Sequence, residues 1–111
     1  MARVTPLTLD ENNDETIDLT VTADTLIDPD QAAFELVIKA SASADDVDGT
    51  TLTDADGITV TSTEPGKTIA LTANIPASVL ETPGTRFWRL DVIVSEKRRT
   101  AMYGPLRIRD L

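Results

Sequence analysis

A period of two restricts the fold of this chain more than any other feature. Ile17, Leu19 and Val21 alternate with Asp18, Thr20 and Thr22, and Phe34, Leu36 and Ile38 alternate with Glu35, Val37 and Lys39. Each segment, once extended, gathers its large apolar side chains on one face. No stretch carries the 3.6-residue repeat of a long helix. Ile58 and Val60 follow the turn pair Asp56-Gly57, and Glu64-Pro65-Gly66 separates them from Ile69 and Leu71, so residues 57–72 are expected to form a hairpin. The 17 threonines fit this pattern, because β-branched side chains suit a pleated surface better than a helix. Asn74 is placed to cap one short helical turn over residues 75–80. Pro76 there falls near the first helical position, where a missing amide hydrogen does no harm. That turn is expected to cross from one sheet to the other, while the small and acidic residues 41–49 read as a mobile loop. Whether Thr51 and Leu52 form a strand stays open.

The last 30 residues predict a second hairpin. Trp88, Leu90, Val92 and Val94 alternate with Phe87, Arg89, Asp91 and Ile93, and the polar Glu96-Lys97-Arg98-Arg99 precedes another alternating run. With Lys97, Arg98 and Arg99 as a three-residue loop, Val94 opposes Met102, Leu90 opposes Leu106, and Trp88 opposes Ile108. Every large apolar partner then lies on one face, whereas a one-residue slip would set Trp88 against Arg107. The outward face of this hairpin carries Phe87, Arg89, Asp91 and Ile93 beside Tyr103, Arg107 and Arg109. In that register Ile93 stands opposite Tyr103, and Arg89 opposite Arg107.

About seven short strands in 111 residues predict one domain spanning residues 1–111. The expected fold is all-β, an antiparallel Ig-like β-sandwich with one short helical turn near residues 75–80. The cysteine pair that bridges antibody sheets is absent, and the single tryptophan comes late in the chain. The expected core is Leu19, Val21, Phe34, Leu36, Ile38, Ile58, Val60, Leu71, Trp88, Leu90, Val92, Leu106 and Ile108.

Composition narrows the chemistry. With no histidine and no cysteine, the commonest general base, the commonest metal ligand and every thiolate site are missing. The serines have no histidine to activate them, and four aromatic residues are too few to line a deep sugar cleft, so no enzymatic activity and no cofactor are expected. Asp46-Val47-Asp48-Gly49 and Asp54-Ala55-Asp56-Gly57 resemble fragments of calcium loops but lack the remaining ligands, and Asp-Gly is a common turn signal. Residues 1–80 hold 15 acidic and three basic side chains, net −12, whereas residues 81–111 hold four acidic and seven basic, net +3. A chain of net charge −9 is repelled by phosphate backbones and anionic lipid, so neither nucleic acid nor a membrane is expected as partner. No apolar run approaches the roughly 20 residues that span a bilayer.

One resemblance covers nearly the whole chain. It runs through Asp14-Glu15-Thr16-Ile17-Asp18-Leu19-Thr20-Val21, Ala33-Phe34-Glu35-Leu36-Val37-Ile38-Lys39, Gly57-Ile58-Thr59-Val60 and Pro76-Ala77-Ser78-Val79-Leu80. It continues through Pro83-Gly84-Thr85-Arg86-Phe87-Trp88-Arg89-Leu90-Asp91-Val92 and closes on Tyr103-Gly104-Pro105-Leu106-Arg107-Ile108. This order resembles the small Ig-like β-sandwich domains of tailed-bacteriophage structural proteins, of the baseplate upper protein amino-terminal domain and minor tail or fibre type. The closing Gly-Pro before an alternating strand is its most distinctive piece. The resemblance implies a virion structural protein of the tail, baseplate or fibre attachment, made in the host cytoplasm. Its implied partners are other virion proteins and copies of itself in a symmetric assembly. Capsid decoration and an Ig-like carbohydrate- or receptor-binding module are the alternatives. The partner face expected from the hairpin is Phe87, Arg89, Ile93, Tyr103, Arg107 and Arg109, because aromatic and arginine side chains favour interface centres. Two arginines opposed across a hairpin repel each other, so a neighbouring subunit would have to supply the carboxylates that relieve them.

Overall fold

The period-two segments build two facing sheets in a computed structural model that describes residues 3–22, 32–64, 68–94 and 96–110. The strands are β1 (Arg3–Val4), β2 (Leu7–Asp10), β3 (Glu15–Thr22), β4 (Ala32–Lys39), β5 (Thr50–Thr53), β6 (Ile58–Glu64), β7 (Thr68–Ile75), β8 (Gly84–Val94) and β9 (Lys97–Arg109). Sheet A runs β1-β9-β8-β4-β5, with β2 also on β9, and sheet B runs β3-β7-β6. The fold is an all-β sandwich of Ig-like connectivity. Strands β3 to β9 number seven, in line with the expectation of about seven, and two short strands precede them. Those two pair with β9 in parallel, at one constant register that is interrupted only at Thr5 and Pro6.

The core lies between the sheets, and the alternation predicted it. Twelve of the 13 expected core residues are buried; Val60, on the edge strand β6 just before the register shift between Val60 and Ser62, is 37% exposed. Leu9, Leu52, Ile75, Leu80 and Met102 join the core as well. Thr51 and Leu52 do form a strand, with Leu52 set opposite Leu36. The expected 57–72 hairpin is present as β6 against β7, while Pro65 and Gly66 lie outside the described residues. Residues Ala77–Leu80 form a 3-10 turn between the sheets, but Asn74 does not cap it. The carboxylate of Asp14 takes that part, accepting the Ala77 amide at 2.7 Å, while Asn74 accepts the Thr16 hydroxyl at 3.0 Å.

The final hairpin departs from the expected register by four residues as far as Leu90 and by five beyond the shift between Leu90 and Asp91. Trp88 faces Gly104, Leu90 faces Met102, and Val94 faces Lys97. Lys97, Arg98 and Arg99 are therefore the start of β9 and not a loop, and the two-residue connection contains Glu96 at φ +67°. Four is even, so as far as Leu90 the same side chains still face the core, and the extra residue Ala101 absorbs the odd step beyond it. Gly104 has a physical task at this crossing. A Cβ there would stand 2.9 Å from the Thr5 carbonyl carbon and closer still to its oxygen, and that oxygen accepts the Trp88 indole N–H at 2.8 Å.

Candidate functional site

The outward-facing residues of sheet A carry the unusual chemistry. Asp91 points away from the core yet is fully buried. Arg89 Nε donates to both its carboxylate oxygens, at 3.0 and 2.9 Å, Arg98 Nη1 donates to Oδ2 at 2.8 Å, and Thr100 Oγ1 to Oδ1 at 2.9 Å. The β4–β8 register sets Asp91 opposite Glu35, two like charges that would repel. Arg98 joins them, with Nη2 donating to Glu35 Oε2 at 2.8 Å.

Arg89 extends the chain of charges the other way. Its Nη2 donates to Asp46 Oδ2 at 2.7 Å, and Asp46 also accepts Lys39 Nζ at 2.9 Å, which donates in turn to the Ala44 carbonyl at 2.8 Å. Glu35, Arg98, Asp91, Arg89, Asp46 and Lys39 thus form an alternating, electrically balanced row across three strands and one turn. The turn is a 3-10 segment, Asp46–Asp48, so the stretch 41–49 is not the free loop its composition predicts. Gly49 lets it approach the sheet, since a Cβ there would come 2.5 Å from the Ile38 carbonyl oxygen. The Arg89 hydrogen bond first, and then that of Lys39, hold the Asp46 carboxyl far below the ordinary carboxylate range. Asp46 in turn raises the Arg89 guanidinium, and Asp91 with Glu35 raises that of Arg98.

Beside this row lies a shallow cleft of about 360 Å³. Phe87 and Tyr103 line it, their ring centroids 6.2 Å apart and tilted by 38°. Val4, Pro105 and residues 40–42 wall it, with Arg86 also on its lining. Lys39 Nζ sits 5.6 Å from the Phe87 centroid, so one ammonium touches both the charged row and the cleft.

The expected partner residues separate into groups. Phe87 and Tyr103 come together in the cleft. Arg89 does not oppose Arg107: it faces Tyr103, while Arg107 faces Thr85. Ile93 faces Arg98 and not Tyr103, about 20 Å along the strand from Phe87. Arg109 is paired with Asp10, its Nε donating to Oδ1 at 2.7 Å. The argument that a neighbour must relieve opposed arginines therefore fails, since Asp46 and Asp91 of the same chain satisfy Arg89. Arg107 is exposed and has no ion pair among the described residues. Sequence reasoning missed Val4, Lys39, Asp46 and Pro105 as parts of this face. Only the outward phase of Lys39 and Pro105 signalled it beforehand. Asp46 is spent on Lys39 and Arg89, and residues 54–57 form a tight turn in which Thr53 and Asp56 exchange backbone hydrogen bonds at 2.9 Å. No group of three or more acidic residues spaced to hold a metal ion occurs among the described residues.

No protein-family model matches the chain, and no curated protein matches it. Among solved structures it is similar to an uncharacterized protein from Bacillus anthracis str. Ames. That match has 11% identity and a TM-score of 0.48, and covers 95% of this chain and 84% of the other. It is also similar to part of a family 123 glycoside hydrolase from Clostridium perfringens. There the identity is 12%, the TM-score is 0.41, and 98% of this chain covers 23% of that one.

Proposed function

We propose that this chain is a non-enzymatic structural component of a bacteriophage virion, in the tail, baseplate or fibre attachment, acting through protein contacts on the outer face of sheet A. The observation that carries a contact role is the cleft. Its two aromatic rings, with Pro105 and the 59%-exposed Val4, offer a rigid apolar surface on an otherwise acidic molecule. The ionisable side chains beside it support the same reading, because they are spent on one another. Arg89, Asp91, Arg98, Glu35, Asp46 and Lys39 form a scaffold that stiffens the face. The phage setting rests on the resemblance in segment order described above, which implies the virion as location and other virion proteins as neighbours. Capsid decoration uses the same contact chemistry at a different location. A carbohydrate- or receptor-binding module is the second reading, favoured by the half-buried Phe87–Tyr103 ring pair on which a sugar face can stack.

The test measures the stoichiometry of the chain in purified particles for the parent and for Tyr103→Ala and Arg107→Glu, each first shown to fold. Regular incorporation of the parent with loss in either variant is the expected result. Absence of the parent from particles, together with glycan-array binding by the monomer, overturns the proposal in favour of the second reading.

A further inference from the structure

Val47 is 87% exposed, the most exposed large apolar side chain among the described residues. It sits on the Asp46–Asp48 turn, next in sequence to Asp46 and Asp48 and close to the exposed Asp45. That turn is unusually well held. Asp46 is tied to Lys39 and Arg89, and Gly49 allows the backbone to lie against β4. An apolar tip is thus presented on a rigid support, so little ordering entropy is lost when it is covered.

The cleft beside it has the opposite character. Phe87 and Tyr103 line it, and its basic neighbours are Arg86 on the lining and the unpaired, exposed Arg107 two residues beyond Pro105. Tip and cleft lie on the same face, since the Lys39 ammonium bonds Asp46 on one side and sits over Phe87 on the other. We propose that a second copy of this chain docks on this face, with Val47 of each copy seated in the Phe87–Tyr103 cleft of the other across a two-fold axis. A tip and a complementary cleft side by side on one surface satisfy each other twice when two copies meet face to face, which is the self-complementary geometry of a two-fold dimer. Charge complementarity sets the occupant: the exposed Asp45 stands beside the tip, Arg86 and the exposed Arg107 border the cleft, and all come from this one sequence. The inference rests on the contact-module reading and names the partner of that same surface.

The experiment is sedimentation equilibrium of the full chain from micromolar to millimolar concentration, with circular dichroism to confirm folding. The parent is expected to dimerise. Val47→Arg and Tyr103→Ala are each expected to weaken dimerisation about tenfold or more. Val47→Arg alters a side chain that packs on nothing in its own copy, so its fold is retained. Mixing the two variants is expected to give a heterodimer tighter than either variant alone, because one tip and one cleft remain intact in the mixed pair. A parent that stays monomeric at millimolar concentration overturns the pairing. So do variants that dimerise like the parent, or a mixture no tighter than its components. Incorporation of such a parent into particles would leave the contact-module reading standing while this pairing falls.

Discussion

Gly104→Ala isolates one contact whose energetics can be worked through. The new methyl group would overlap the Thr5 carbonyl, which lies over residue 104 to accept the indole N–H of the fully buried Trp88. Two responses are open. The sandwich can keep Thr5 and absorb the clash at about 1 to 3 kcal/mol, or it can release β1 and leave a buried N–H without a partner, also at about 1 to 3 kcal/mol. The chain takes the cheaper route, so the terms do not add, and a loss of about 2 kcal/mol is expected. For a domain of this size that lowers the melting temperature by roughly 10 °C. Trp88 is the only tryptophan, so its fluorescence reports the site without a label. Release of β1 should shift its emission to longer wavelength under native conditions. Removing residues 1–5 should reproduce both effects, and adding Gly104→Ala to the truncated chain should cost almost nothing, because both changes break the same contact. A Gly104→Ala protein within about 0.5 kcal/mol of the parent in a denaturant melt, with unchanged emission, would refute the account.

The remaining expectations concern charge. Asp91→Ala strips a buried carboxylate of four hydrogen bonds and should cost about 3 kcal/mol in a urea melt. That is the low end for a broken buried pair, since the half-exposed Arg98 can turn to water. Asp10→Ala removes only the rim pair with Arg109, both partners reaching solvent, and should cost less than about 0.5 kcal/mol in the same melt. The Asp46 carboxyl is held below its ordinary value when folded, so on acidification the unfolded chain takes up the proton first. Its stabilisation is therefore complete above about pH 5, and is lost as pH falls below about 4 toward the folded value. The melting temperatures of the parent and Asp46→Asn should differ by a constant amount near neutrality and converge in acid. Millimolar calcium should leave the melting temperature unchanged, and a rise of many degrees would mean that the Asp-rich turns bind the ion.

Alternation made the strands and core legible because it is a local signal: each residue's face follows from its neighbours. Pairing partners are not local. The charged run Lys97-Arg98-Arg99 has the composition of a loop, yet it opens β9, where Lys97 and Arg99 are exposed and Arg98 turns onto Asp91 and Glu35. That displaced the final hairpin by four residues at Trp88 while leaving its core face unchanged, so Trp88 was placed correctly and its partner was not. The charged row was out of reach for a related reason. Arg89 and Asp46 lie 43 residues apart, and they meet only because Gly49 lets a turn fold over the sheet. Glu35 and Asp91 did carry a hint, as acidic residues in the outward phase of strands that turn out to be neighbours. Asn74 sat at a plausible capping position, but a capping carboxylate need not be local, and Asp14 reached the turn from 63 residues away.

The parallel pairing of β1 and β2 with β9 orders events during synthesis. Residues 3–10 leave the ribosome before β9, and the strand that receives them is complete only when residue 109 has been made. Until then the leading segment has no place to dock, and the Trp88 indole N–H has no acceptor at Thr5. Closure of sheet A is therefore a late, long-range step of the kind that slows folding and leaves a strand edge open in the nascent chain. The break at Thr5-Pro6 reduces that hazard, because a leading segment interrupted by a residue without an amide hydrogen makes a poor template for pairing with a neighbouring nascent chain.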